Sequence, residues 1–154
     1  MLRPAVAADR DVVLSWRNHP EVRRVSLTTH VIPAAEHAAW WAAATVDPDR
    51  RVLIFADEGV DCGVVLFDLR AGTPSWGFYL DVAGLGSRLL AAWMRLERDA
   101  VSYAFDDLKV DRLGGETLAD NAQVLALHRR FGFTETRRYD KDGRTVVWTE
   151  RGRA

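Results

Sequence analysis

Three short stretches of the chain place groups where they could bind or move charge. The first, Asp81-Val82-Ala83-Gly84-Leu85-Gly86-Ser87-Arg88, stands where an extended segment runs into a long helical pattern. Paired glycines let a backbone come close to a pyrophosphate, and the free N–H groups and positive dipole end of a helix attract its charge. A tight strand-to-helix turn would use the same residues, so the Gly-x-Gly pair alone leaves both readings open. The second stretch runs from Asn121 to Phe133. Its spacing puts Asn121, Leu125 and His128 on one helical face, where Asn121 and His128 can both address a ligand lying along the helix. Taken singly, Asn121 reads first as a helix cap and His128 as an exposed or satisfied histidine. The third is Glu116, in mid-strand, with Gly114 and Leu118 on its own face and Gly115 and Thr117 on the other. A carboxylate beside a partly dry cleft can accept a proton, but a carboxylate in mid-strand is more often solvated or ion-paired.

The elements that must position these groups alternate between helical and extended patterns. A short strand is expected at Leu2 to Val6, then a helix capped by Asp9 or Asp11 and ending near Asn18-His19-Pro20, since proline disfavours helix in the residue before it. A short turn from Glu21 to Val25 and a helix over Ala34 to Val46, closed by Asp47-Pro48, follow. Arg51 to Ala56, Gly63 to Leu69 and Ser75 to Leu80 read as an antiparallel meander, with a turn at Arg70-Ala71-Gly72-Thr73-Pro74 before the third strand. From Gly86 to Leu108, Leu90, Trp93, Met94, Val101, Ala104, Phe105 and Leu108 recur at helical spacing. Arg95, Glu97, Arg98 and Asp99 are expected to be solvated between them. A strand at Arg112 to Leu118, a helix at Asn121 to Arg130 stopped by Gly132, and a pair at Phe133 to Tyr139 and Thr145 to Glu150 complete the chain. The turn Asp140-Lys141-Asp142-Gly143 supplies glycine where φ must be positive.

With 154 residues, 48% hydrophobic and 28% charged, the chain has the size and composition of a single domain over 1–154, and disorder, collagen and disulfide scaffolds are excluded. The balance of 21 basic against 22 acidic residues gives a net charge of -1, so no broad attraction to nucleic acid or to an anionic membrane is expected. Cys62 has no second cysteine to pair with, no run is long enough to span a membrane and no signal peptide is evident, which together point to the cytoplasm.

The order strand, Gly-x-Gly turn, long helix, strand with Glu116, then Asn121-x6-His128-x3-Gly132-Phe133 resembles the GNAT acetyltransferase superfamily over essentially the whole chain. The match of two motifs about 35 residues apart, joined by a helix of the right length, is far more specific than either alone. Within that superfamily, Trp16-Arg17-Asn18-His19-Pro20-Glu21-Val22-Arg23, Glu36-His37, Trp76-Gly77-Phe78-Tyr79-Leu80 and Leu127 to Phe133 look like the pseudaminic-acid-pathway enzymes that N-acetylate a UDP-linked 4-amino sugar. The Trp-Arg-Asn-x-Pro-Glu-Val segment is shared with the ribosomal-protein N-terminal acetyltransferases. Two departures stand out: Asp81 replaces the Gln or Arg of the superfamily loop in a shortened link from Leu80 to Gly84, and His128 replaces the usual Tyr.

The resemblance implies an α/β (α+β) GNAT fold: a mixed, mostly antiparallel sheet of about seven strands flanked by about four helices. It also implies direct acetyl transfer from acetyl-CoA to a primary amine, with no metal. Glu116 is then the expected base and His128 the expected acid toward the leaving sulfur; an imidazolium of pKa ~6.5 can protonate a thiolate of pKa ~8.5, although such a thiolate leaves tolerably without help. Phe78, Tyr79 and Leu80 are expected along the coenzyme, backbone N–H groups near Tyr79 and Leu80 polarising the thioester. Val82, Ala83, Gly84, Leu85, Gly86 and Ser87 are expected at the pyrophosphate, with Asn121 and His128 on the adjoining helix. Trp16, Arg17, Arg24, His37, Trp40 and Tyr79 are the expected acceptor residues, because an aromatic face can stack on a base and arginine can pair with a diphosphate. The expected partner is a small molecule, most simply a nucleotide-linked amino sugar. A peptide N-terminus, or a non-catalytic domain that only binds acetyl-CoA, is the alternative, and homodimerisation is left open.

Overall fold

The computed structural model describes residues 1–70 and 72–153; Ala71, in the turn expected before Ser75, and Ala154 lie outside the described residues. The strands are β1 (Leu2–Pro4), β2 (Arg50–Asp57), β3 (Val60–Asp68), β4 (Ser75–Leu80), β5 (Arg112–Leu118), β6 (Thr134–Lys141) and β7 (Arg144–Gly152). They form one sheet in the order β1-β2-β3-β4-β5-β7-β6, antiparallel at every joint except the parallel one between β4 and β5. Among the described residues the helices are α1 (Arg10–Arg17), α2 (Pro20–Arg24), α3 (Ala34–Val46), α4 (Val82–Leu85), α5 (Leu89–Ser102) and α6 (Ala122–Arg130). These outnumber the expected four because α2 and α4 are single turns of five and four residues.

Strand alternation sorts the side chains onto two faces. Leu53, Phe55, Val65, Phe67, Trp76, Leu80 and Leu113 pack toward α5, while Val52, Ile54 and Val64 pack toward α1 and α3 around Val13, Trp16 and Trp41. Asp9 caps nothing at α1. Its carboxylate accepts the Val6 N–H at 2.8 Å and the Arg3 guanidinium at 2.8 and 2.9 Å, tying the chain entry to β1.

The helix expected from Gly86 to Leu108 is broken at both ends. Gly86–Arg88 form a 3-10 turn before α5, and Tyr103–Asp107 widen into a π turn in which Leu108 N–H donates to the Tyr103 carbonyl. The face α5 and the π turn after it present to the sheet is Ala92, Leu96, Ala100 and Ala104, three alanines around one leucine, each at 0% exposure. Leu90, expected inside, is exposed, and Glu97, expected in solvent, is completely buried. The hairpin between β6 and β7 turns on Asp142 and Gly143, both at positive φ, as a tight hairpin requires.

Candidate active site

The parallel joint between β4 and β5 is short. One ladder pair, Ser75 with Gly114, links them, supported by the Gly114 N–H to the Pro74 carbonyl at 2.9 Å, and beyond it the strands part. Close approach at the joint needs glycine at 115, since a Cβ there would stand 3.0 Å from the Trp76 carbonyl oxygen, while Gly114 makes room for the Trp148 ring of β7, 2.3 Å from where its Cβ would stand. The diverging edges are Gly77–Leu80 on one side and Glu116–Leu118 on the other. Asp81 N–H donates to the Cys62 carbonyl at 2.7 Å. Backbone groups alternate sides along an antiparallel strand, so the Tyr79 N–H also turns toward β3, while those of Phe78 and Leu80 face the gap. Of the two amides expected to polarise the thioester, that of Leu80 faces the gap and that of Tyr79 does not.

On the α1–α3 side of the gap lies an open cleft of about 350 Å³. Trp40 of α3, Leu27 of the preceding loop, Arg51 of β2, Asp68 of β3, Ser75 of β4 and Glu116 of β5 line it. Glu116 accepts the Tyr139 hydroxyl at 2.5 Å and lies 3.3 Å from the Lys141 ammonium. Burial and the hydrogen bond to Glu116 push the Tyr139 pKa up to about 12, so Tyr139 stays a donor.

Of the six side chains expected at the acceptor, Trp40 lines this cleft and the others do not. Trp16, at 5% exposure, is a core anchor, and His37, at 3%, is enclosed between Trp40 and Trp41, with its pKa lowered chiefly by burial and further by Arg10. Neither offers a face to a ligand, because α1 and α3 pack these sides against the sheet and each other. Arg24 is ion-paired on the surface with Glu21 at 2.9 Å. Arg17 donates to the Thr28 carbonyl and, with Asn18 on the Ile32 backbone, fastens the loop that carries Leu27. Tyr79 packs against the α1–α3 cluster, and burial raises the pKa of its hydroxyl. Sequence reasoning did not mark Arg51 and Asp68, which the meander brings to the cleft, or Tyr139 and Lys141, which reach Glu116 from β6.

His128 lies on the opposite face of the sheet. Its ring packs 5.5 Å from Trp76 and from Phe133 and 6.3 Å from Phe78, and it is 6% exposed. Glu116 and His128 therefore flank the gap from opposite sides, so an amine entering from the α3 side and a thioester lying on the α5 side would meet in it. Asn121 caps α6 through a 3.4 Å contact with the Val124 N–H.

The fit to a coenzyme is uneven. The gap has backbone donors and an aromatic wall suited to an acyl thioester. In the loop, Ala83, Gly84, Gly86 and Ser87 are exposed, whereas Leu85 is core and Val82 opens α4. Gly86 has φ +53° and ψ -122°, a conformation open to glycine. The Gly84 N–H, however, is held at 3.0 Å by the Asp81 carboxylate, which fills the space where a Cβ on Gly84 would stand. The amide expected for a phosphate oxygen already carries an anion from the chain itself.

Among the described residues, no cluster of three or more His, Cys, Asp or Glu side chains suits a metal ion, and no helix is long and apolar enough to cross a membrane. The family profile described as "Acetyltransferase (GNAT) domain" matches residues 1–134. Acetyltransferase PseH of Campylobacter jejuni is 30% identical over 135 residues, 85% of this chain and 78% of that protein. Its crystal structure has a TM-score of 0.69 at 19% identity, covering 100% of this chain and 98% of that one. The structure of yncA from Salmonella typhimurium with acetyl-CoA has a TM-score of 0.76 at 19% identity, covering 100% and 94%. These structures share the fold. The profile spans most of the sequence, and with the 30% identical relative it establishes that the chain belongs to the GNAT acetyltransferase family and is an N-acetyltransferase that uses acetyl-CoA.

Proposed function

We propose that this enzyme, one catalytic unit over residues 1–154 working in the cytoplasm, acetylates the primary amine of a nucleotide-linked amino sugar held in the cleft beside β5. The observation that carries the reading is the convergence of Trp40, Arg51 and Glu116 on that one cleft. A flat aromatic face suits a nucleobase, a guanidinium suits a diphosphate and a carboxylate suits an amine. The likeness of the Trp16-to-Arg23 and Leu127-to-Phe133 segments to the pseudaminic-acid-pathway N-acetyltransferases and the 30% identity to PseH support the same substrate class.

In this reading the neutral amine attacks the thioester carbonyl in the gap. Glu116 takes the proton released by the amine, directly or through water, and the N–H groups of Phe78 and Leu80 draw charge onto the carbonyl oxygen. An assay of thiol release with UDP- and TDP-linked 4-amino sugars and with N-terminal peptides tests the substrate. Turnover of a nucleotide amino sugar is expected. Efficient acetylation of peptides, with no thiol released on any nucleotide sugar, would replace the reading by that of a protein N-terminal acetyltransferase.

The Asp81 cap carries a further expectation. A pyrophosphate at this loop must displace the Asp81 carboxylate from Gly84 and meets its charge, an opposition of about 1 kcal/mol at a solvent-exposed site. Asp81→Asn keeps an oxygen for the cap and removes the charge, so acetyl-CoA should bind about fivefold more tightly by calorimetry. Weaker binding in a folded Asp81→Asn protein would show that the pyrophosphate lies elsewhere.

A further inference from the structure

The least accountable feature of the interior is the carboxylate of Glu97. It sits in the middle of α5 at 0% exposure, one oxygen 2.7 Å from His128 Nδ1, the other sealed from solvent with no partner. Burying a carboxylate with one oxygen unsatisfied costs free energy that an apolar side chain of like size would not. Packing therefore gives no reason for Glu97. What the carboxylate does is hold one nitrogen of one ring.

That grip has a chemical consequence. With the carboxylate ionised it can only accept, so Nδ1 donates to it and the remaining nitrogen, Nε2, is left to exchange a proton with a ligand. Nε2 makes no hydrogen bond among the described residues and, unlike Glu97 Oε2, is not shut off from solvent. The groups packed around the ring are Trp76 and Phe78 from β4, Phe133 from the turn after α6, and Glu97 from α5. Among the described residues Glu97 is the charged side chain that hydrogen-bonds the ring.

We propose that Glu97 is a positioning residue that fixes the tautomer and orientation of His128, so that Nε2 serves as the proton donor at the β4/β5 gap. The proposal rests on the reading that the thioester lies on the α5 side of that gap. As the new C–N bond forms and the C–S bond breaks, the ring, protonated at both nitrogens, gives its Nε2 proton to the departing thiolate. The ring is left neutral with Nδ1–H still on Glu97, Nε2 is reprotonated from solvent, and the proton of the amine goes to Glu116.

The test compares Glu97→Leu, Glu97→Gln, His128→Gln and the double variant Glu97→Leu/His128→Gln, each first checked for a cooperative melt. The readouts are kcat and KM for thiol release and the ¹⁵N shifts of the His128 ring, assigned by their loss in His128→Gln. With the ring neutral, the wild type is expected to show the Nδ1–H form. Glu97→Leu should lower kcat about tenfold with both KM values unchanged, below the roughly 10²–10⁴ of a group that transfers a proton from the attacking amine. Glu97→Gln, which keeps an oxygen but not the charge, should fall between, and Glu97→Leu should have no further effect once His128 is Gln. An Nε2–H tautomer in the wild type, an unchanged kcat in folded Glu97→Leu, or the same loss in both backgrounds would each overturn the proposal. Unchanged kcat in His128→Gln would also overturn it, while leaving the substrate class, read from the choice between sugar and peptide acceptors, to stand on its own result.

Discussion

Replacing Glu116 by Gln is expected to lower kcat/KM for the acceptor amine about 10²–10⁴-fold, the range for loss of a general base, while acetyl-CoA binding measured by calorimetry stays the same. Glutamine keeps the shape and can still accept the Tyr139 hydroxyl, so the cleft should hold its form, and Lys141 loses an exposed ionic partner whose contribution is small. The defect should shrink as pH rises, because an amine that loses its proton to solvent needs the carboxylate less. A folded Glu116→Gln enzyme with wild-type rates across the pH series would remove Glu116 from the chemistry and leave it as the partner of Tyr139 and Lys141.

Trp16→Ala is expected to unfold the protein easily rather than to weaken acceptor binding selectively. Trp16 is enclosed with Val13, Trp41, Ala44, Val52, Ile54 and Val64, and truncating a buried tryptophan typically costs about 3–5 kcal/mol. Set against a total stability of about 5–15 kcal/mol, that loss should appear as a large fall in the urea midpoint. Trp40→Ala offers the contrast. Trp40 is half-buried and lines the cleft, so its loss should raise the acceptor KM with a smaller change in midpoint. An unchanged midpoint in Trp16→Ala together with a raised acceptor KM would return Trp16 to the binding surface.

These two tryptophans show what a single sequence reveals and what it hides. Alternation and turn residues place the strands to within a few residues, because those rules are local: β4 and β5 fall where expected, and Glu116 is on the expected face with Gly114. Helix burial is less legible. On α5 the large apolar residues suggested one face, but close packing against a sheet selects alanines, and the row Ala92, Ala100 and Ala104 turns Glu97 inward and Leu90 outward. Trp16 and Trp40 look alike in sequence, and only the packing of α1 against α3 separates a core anchor from a cleft wall. Arg51 and Asp68 come to the cleft along the expected meander, but their residue types do not single them out, and Tyr139 and Lys141 reach Glu116 across the β5–β7–β6 pairing, for which neither composition nor periodicity carries a signal.

The single ladder pair between β4 and β5 also bears on how the chain assembles. β1 to β4 and β5 to β7 are each closed by antiparallel neighbours, whereas the seam between them must wait for the stretch containing α5 to fold back. Loop closure before reward makes such a parallel joint slow. The expected sequence is two separately formed halves and a late, thin weld, so that a molecule lodged in the seam acts as mortar, coupling halves whose cooperativity is otherwise weakest at the proposed reaction site.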